Sequence, residues 1–234
     1  MNHESQAMIT TIVFDLDDTL YDEVEYCKSG FAAVARFLSS LTDTPPAEQI
    51  ANVFWKEFTA GSRTKTFNTA LDQLGISYDN KLIEKLVDVY RNHTPKIKLP
   101  TDSRDVLRQL SAKWTLALLT DGFLPAQKLK VQALGIEKYF KCIIYTEELG
   151  RQFWKPSHAG FEKLLEVLKI KPKNAAYIAD NPDKDFIAPN KLGILTVQII
   201  RPARIHTQPA FGPAAAAKYE IHEITRLPAL LNRL

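Results

Sequence analysis

Five short apolar runs constrain this chain most. They are Thr10 to Phe14, Trp114 to Leu119, Cys142 to Tyr145, Ala175 to Ala179 and Ile194 to Ile200. The first is a short run without alternation, which is what a strand buried on both sides looks like, and the others are read as similar strands. Helical spacing fills the gaps between the later runs. Val106, Leu107 and Leu110 precede the second; Leu129, Val131 and Leu134 follow it; Phe161, Leu164, Leu165 and Leu168 precede the fourth. Strand alternating with helix implies right-handed crossovers and a parallel sheet. The expected fold class is therefore α/β, a Rossmann-like parallel sheet core with helices on both faces.

One stretch breaks the rhythm. Between about Asp22 and Pro100 no run reads as a strand, and four amphipathic stripes follow one another. The first carries Val24, Cys27, Phe31, Val34, Leu38 and Leu41, and ends at Thr42-Asp43-Thr44-Pro45-Pro46. The second carries Ile50, Val53, Phe54 and Phe58. The third carries Phe67, Leu71 and Leu74 before Gly75. The fourth carries Leu82, Ile83, Leu86, Val89 and Tyr90. The expected organisation is an α/β core from residues 1–21 and 101–234 with an inserted helical domain over 22–100. A length of 234 residues suits one core with an insert. Arg201 to Lys218, with four consecutive alanines, is expected to be a surface loop, and Ile224 to Leu231 a closing helix.

Composition removes several functional classes. The net charge is +3 and evenly spread, too mild for a nucleic-acid or anionic-membrane partner. No apolar run approaches the roughly 20 residues of a membrane span. The start, MNHESQAMIT, lacks the basic and apolar regions of a secretory signal. Cys27 and Cys142 have neither metal-ligand spacing nor a disulfide framework. A cytoplasmic protein, monomer or homodimer, is expected.

Ligands of a parallel sheet collect at the carboxyl ends of its strands. Asp15, Asp17 and Asp18 follow the first run; Thr120, Asp121 and Gly122 close the second; Lys155-Pro156 lies in the loop after the third; Asp180, Asp183 and Asp185 follow the fourth. Taken singly, each is an ordinary turn, cap or loop residue. Together, several carboxylates at one sheet edge stay ionised only around a cation. Hard oxygen donors without a His or Cys cluster favour Mg²⁺. A nearby Lys balances charge on a bound anion, and a Thr before Gly offers a hydroxyl and backbone N–H groups. That set describes phosphoryl transfer.

The same residues resemble the motifs of the haloacid dehalogenase-like (HAD) superfamily. Phe14-Asp15-Leu16-Asp17-Asp18-Thr19-Leu20 resembles the first motif and Leu118-Leu119-Thr120-Asp121-Gly122 the second. Lys155-Pro156 resembles the third and Asp180-Asn181-Pro182-Asp183-Lys184-Asp185 the fourth. The resemblance implies that Asp15 is the nucleophile, forming an aspartyl-phosphate. It implies that Asp17 is the acid that protonates the leaving oxygen and then the base that activates water. Thr120, Asp121 and Gly122 would hold the phosphate. Lys155 would neutralise the nucleophile and phosphate oxygens. Asp15, the backbone carbonyl of Asp17, and Asp180 would bind Mg²⁺, with Asp185 in support. Asp18 is expected to be structural.

Asp17 also bears on which branch is resembled. A halide leaves without an acid, whereas an alkoxide leaving phosphorus is helped by one, so the phosphatase branch is implied over the dehalogenases. The expected substrate is a small phosphate ester: a sugar phosphate, a nucleoside monophosphate or a phospho-acid. A phosphomutase on the same scaffold and a non-catalytic binding protein are the alternatives. A signalling receiver domain fits less well, because its phosphoacceptor lies on a middle strand. No Gly-rich loop ending in Gly-Lys-Ser/Thr appears. The chain departs from the family pattern at Ala179, where Gly is usual, in the longer loop Gly150 to Trp154, and at Ser157-His158. By the resemblance, residues 22–100 would be a cap domain that selects substrate, with Tyr21, Glu23, Arg63, Lys65 and His93 as candidate contacts.

Overall fold

A computed structural model describes residues 8–41 and 44–234. The expected turn residues Thr42 and Asp43, and most of the N-terminal segment, lie outside the described residues. The chain divides into two compact units. One comprises residues 1–23, 98–123 and 134–234, and the other residues 24–97 and 124–133.

The first unit is built on a six-stranded sheet in the order β3-β2-β1-β4-β5-β6, every pair parallel. The strands are β1 (Thr11–Phe14), β2 (Thr115–Thr120), β3 (Cys142–Tyr145), β4 (Ala175–Ala179), β5 (Leu195–Ile199) and β6 (Tyr219–Ile221). The five apolar runs are the first five strands, within a residue or two at their ends. The sixth strand has no counterpart among those runs, since its three residues, Tyr-Glu-Ile, carry no readable pattern. It follows the 201–218 segment, which is a loop as expected. The closing helix is a short 3-10 turn, Ile224–Arg226, running into a helix at Leu227–Leu231. Among the described residues no helix is long and apolar enough to cross a membrane.

The central strands are buried on both faces, which explains their lack of alternation. On one face Val13, Ala117, Leu119 and Tyr177 pack with Phe161 and Leu164 of the helix Ala159–Leu168. The side chains of Ile12, Phe14, Leu116, Leu118 and Ile178 point the other way and are also covered. The strand order reverses beside β1, because β2 and β3 lie on one side of it and β4 to β6 on the other. Opposite directions of travel with right-handed crossovers put helices on both faces.

The second unit holds the four expected helices: α1 (Glu23–Ser39), α2 (Ala47–Thr59), α3 (Thr66–Leu74) and α4 (Asn80–Asn92). Local signals set their ends. Pro46 precedes α2, and the Asp79 carboxylate caps α4 by accepting the Leu82 N–H at 2.8 Å. Gly75 ends α3 at φ 66°, a left-handed conformation that glycine adopts without strain. The stripes converge on an aromatic cluster in which Phe31 meets Phe54, Phe58, Phe67 and Tyr90. Residues 124–133, which the strand–helix rhythm assigns to the core, group with these helices instead. One contact that draws them there is the ammonium of Lys130, 4.2 Å from the centre of the Tyr26 ring.

Candidate active site

β1 pairs with β2 on one side and β4 on the other, with Phe14 level with both Leu118 and Ile178. The next residue, Asp15, donates its N–H to the Ile178 carbonyl at 2.9 Å. Asp15 and Asp180 thereby leave neighbouring strands at the same edge, where the strand order reverses. This is the position at which doubly wound sheets bind ligands.

Lys155 sits at the centre of what gathers there. Its Nζ is 2.7 Å from Asp15 Oδ1 and 2.7 Å from Asp185 Oδ1, and it donates to the Tyr177 hydroxyl at 2.9 Å. The Tyr177 hydroxyl donates in turn to Asp185 Oδ1 at 3.2 Å, and the Asn181 N–H donates to Asp185 Oδ2 at 3.0 Å. Asp15, Lys155, Tyr177 and Asp185 are all buried. Sequence pattern does not point to Tyr177. Its only signal is a hydroxyl-bearing ring in an otherwise small, apolar strand, Ala-Ala-Tyr-Ile-Ala.

The second-motif residues form the adjoining wall. Thr120 ends β2 fully buried. The carboxylate of Asp121 accepts from the Thr146 hydroxyl at 2.7 Å and from the Lys155 backbone N–H at 3.1 Å, and so ties the third-motif loop to β2. The Asp121 side chain is thus engaged by the scaffold. Gly122 has φ 136°, a conformation a side chain would strain. Thr146 carries no sequence signal.

Asp17 stands slightly apart. Its carboxylate accepts from the Tyr21 hydroxyl four residues on, at 2.5 Å. Asp18 is engaged by backbone on both sides: one oxygen accepts the N–H of Glu23, the first residue of α1, and the other accepts the N–H of Ile205 in the long loop. It holds this position at φ 52°. Of the other candidates, Glu23 contributes its backbone to that cap, and Lys65 immediately precedes α3. Arg63 lies over the Phe58 ring, and His93 has both ring nitrogens engaged, by Tyr90 O and Ser29 Oγ.

The electrostatics favour a cation. Burial pushes Asp15 up to about 6, outweighing the lowering effect of Lys155. Burial also pushes Asp180 well above the ordinary carboxylate range, and Asp185, Asp15 and Asp18 push the same way. Burial would lower Lys155, but Asp15 and Asp185 lift it well above its usual value. Asp185 goes against its own burial and is held low by Lys155 and Lys184. Asp180 Oδ2 is buried and has no hydrogen-bond partner among the described residues. Asp15, Asp180 and Asp185 each offer an oxygen within 4.8 Å of the others. Carboxylates in this condition take up either protons or a metal ion, and an unpartnered oxygen in an all-oxygen donor set suits a hard divalent cation.

A parallel sheet with acidic residues, a buried lysine and a hydroxyl at its reversal point is a doubly wound α/β fold with a candidate site where such folds bind ligands. The model of the haloacid dehalogenase-like hydrolase family matches residues 12–199, and the chain belongs to that family. It is 28% identical to the glyceraldehyde 3-phosphate phosphatase of Methanocaldococcus jannaschii, over 83% of this chain and 86% of that protein. It is 24% identical to the N-acylneuraminate-9-phosphatase of Mus musculus, over 97% of this chain and 96% of that one. Among solved structures, YfnB of Bacillus subtilis, a putative HAD-hydrolase bound to magnesium, matches with a TM-score of 0.69. The identity there is 22%, over 96% of this chain and 99% of that one. A 2-haloacid dehalogenase from Pseudomonas syringae matches at 0.66 and 24% identity, over 97% and 99%. At these identities the structural likeness speaks for the fold alone.

Proposed function

We propose that this protein is a Mg²⁺-dependent phosphatase that hydrolyses a small phosphorylated metabolite through an aspartyl-phosphate on Asp15. The observation that carries the reading is the buried Asp15–Lys155–Asp185 network with Asp180 beside it. In a stable fold with no chemistry to perform, so much buried charge is a poor use of an interior. The phosphatase relatives support the class. Their names give glyceraldehyde 3-phosphate, N-acylneuraminate 9-phosphate and, in Halopiger xanaduensis, ribulose 1,5-bisphosphate as substrates. All are phosphate esters of small polyhydroxylated compounds, and a sugar phosphate is the first class to test.

Asp15, Asp180 and the backbone carbonyl of Asp17 would hold the ion, with Asp185 in support. When bound, Mg²⁺ supplies the positive charge that keeps these carboxylates ionised and offsets charge on the phosphoryl group. The chain's own residues do the rest. An Asp15 oxygen attacks phosphorus as the bond from phosphorus to the alkoxide breaks, and the Asp17 carboxyl gives its proton to that leaving oxygen. Asp17, now a base, takes a proton from water as the water attacks phosphorus, and the bond from phosphorus to Asp15 breaks. Tyr21 fixes the Asp17 carboxyl, and Lys155 fixes Asp15 for attack. Thr120 and the amides after it hold the phosphoryl oxygens. The inserted helical unit takes the family's cap role in this reading.

Phosphate release from a panel of phosphorylated metabolites, with Mg²⁺ and with EDTA, tests the proposal. Hydrolysis of at least one ester that EDTA stops is expected. Hydrolysis indifferent to EDTA, or halide release from a 2-haloacid in place of phosphate release, contradicts it.

A further inference from the structure

We infer that Arg201 is a positioning residue for Asp17, bracing from the end of β5 the turn that carries this acid. The inference rests on the phosphatase reading, in which Asp17 gives a proton to the leaving oxygen. The turn after β1 is closed at two points. The Leu20 N–H donates to the Leu16 carbonyl at 3.0 Å, and Asp17 and Tyr21 pair as a parallel bridge. The Tyr21 hydroxyl also donates to the Asp17 carboxylate. The next residue after each member of this pair, Asp18 and Asp22, reaches the same loop. Asp18 Oδ2 accepts the Ile205 N–H at 2.6 Å, and Asp22 Oδ1 accepts from Arg201 Nε at 2.6 Å. Arg201 and Asp22 both belong to the α/β unit.

The root of Arg201 is rigid. It lies two residues beyond the end of β5, and the Ile200 N–H before it donates to the Ile221 carbonyl of β6 at 2.9 Å. Arg201 is buried, although it opens a segment that reads as a surface loop. A guanidinium N–H on a carboxylate is a short, charge-assisted hydrogen bond, stronger than one between neutral groups. The Arg201 side chain is 11% exposed, so salt screens the pair little. The bond fixes Asp22, and through the adjoining peptide Tyr21, whose hydroxyl aims the Asp17 carboxyl. A general acid works only within hydrogen-bond reach of the atom it protonates. Misplacement by about 1 Å costs about 10²-fold in rate. Sequence spacing gives no sign of the brace, because Arg201 and Asp22 are 179 residues apart in the chain.

The test is single-turnover release of alcohol by the Mg²⁺-loaded full-length protein from two esters, the best alkyl phosphate in the panel and p-nitrophenyl phosphate. p-Nitrophenolate leaves without a proton, so a misplaced acid slows the first release and spares the second. Arg201→Gln is expected to slow release from the alkyl ester by about tenfold and from p-nitrophenyl phosphate by less than about threefold, with steady-state KM within about twofold of the parent. Asp22→Asn leaves Arg201 in place and is expected to show the same selective loss. The double variant is expected to lose no more than either single one, as two residues acting as a pair do. Equal slowing with both esters overturns the inference, because it marks general damage to the site. An unchanged alkyl rate, a change in KM alone, or additive losses in the double variant also overturn it. If Arg201→Gln does not fold, Asp22→Asn decides by the same ratio of rates. A parent protein that hydrolyses no alkyl phosphate removes the phosphatase reading, and the inference with it.

Discussion

The two units bury opposite things. At the sheet edge of the α/β unit, Asp15, Lys155, Tyr177, Asp180 and Asp185 are removed from water together. In the helical unit, the interior is a set of aromatic rings around Phe31 and Phe54, with centroids 5.2 to 6.2 Å apart. Ring burial stabilises, at about 25 cal/mol per Å² of apolar surface removed from water. Burying charge costs free energy unless each group is paired, and Asp180 is not fully paired. On the proposed function, chemistry and stability therefore reside in different places. Substitutions at the sheet edge should change chemistry more than stability, and substitutions among the rings should do the reverse.

On the proposed mechanism the largest expected effect is that of Asp15→Asn, which would replace the attacking carboxylate by an amide. Turnover should fall by about 10⁴-fold or more with the melting temperature retained. Loss of the fold instead would erase the contrast between the units. Next, Phe54→Ala should destabilise by about 3–5 kcal/mol in denaturant titration, as a large ring leaves a packed interior. Its Mg²⁺ affinity, measured by calorimetry where the variant is folded, should be unchanged; a large loss would tie the ring cluster to the site. Asp17→Asn should slow phosphorylation and hydrolysis, each by about 10²-fold, in pre-steady-state measurements. An effect on binding alone would take away its acid–base role.

Tyr177→Phe is a milder change. It deletes one hydroxyl between Lys155 and Asp185, and kcat should drop by about tenfold with little change in KM. An unchanged kcat would mean that the two carboxylates position Lys155 unaided. The remaining effect is on pH dependence. Asp15 and Asp18 each rise from an ordinary 3.8 to about 6 in the folded protein. Between these values the folded chain holds more protons than the unfolded one, so stability falls as pH rises from about 4 to 6. Thermal melts in EDTA should show that decline, and Mg²⁺ should flatten it by replacing the protons. A metal-free protein that gains stability across that window contradicts the sign.

Much of the fold is legible in the amino-acid sequence. The central strands β1, β2 and β4 stand out because burial on both faces demands near-uninterrupted apolar residues. The four inserted helices stand out because one buried stripe imposes a spacing of three and four. Asp15, Lys155 and Asp180 are legible because each follows a strand directly or lies in the next loop. What is not legible depends on register and side-chain direction. Tyr177 lies inside a strand and reaches the site only because β4 turns it to the same side as Lys155. Thr146 acts through a carboxylate 25 residues earlier in the chain. The sixth strand is held by its pairing with β5, not by its own three residues.

Trapping of the covalent species gives the most direct check on the nucleophile. Protein turning over its best ester with Mg²⁺ is quenched in acid, treated with borohydride and mapped by mass spectrometry. Reduction of an acyl phosphate converts the side chain that carried it to an alcohol. That mark is expected on Asp15, and it is expected to disappear in EDTA. A mark on another residue, or steady turnover that leaves none at Asp15, contradicts the assignment.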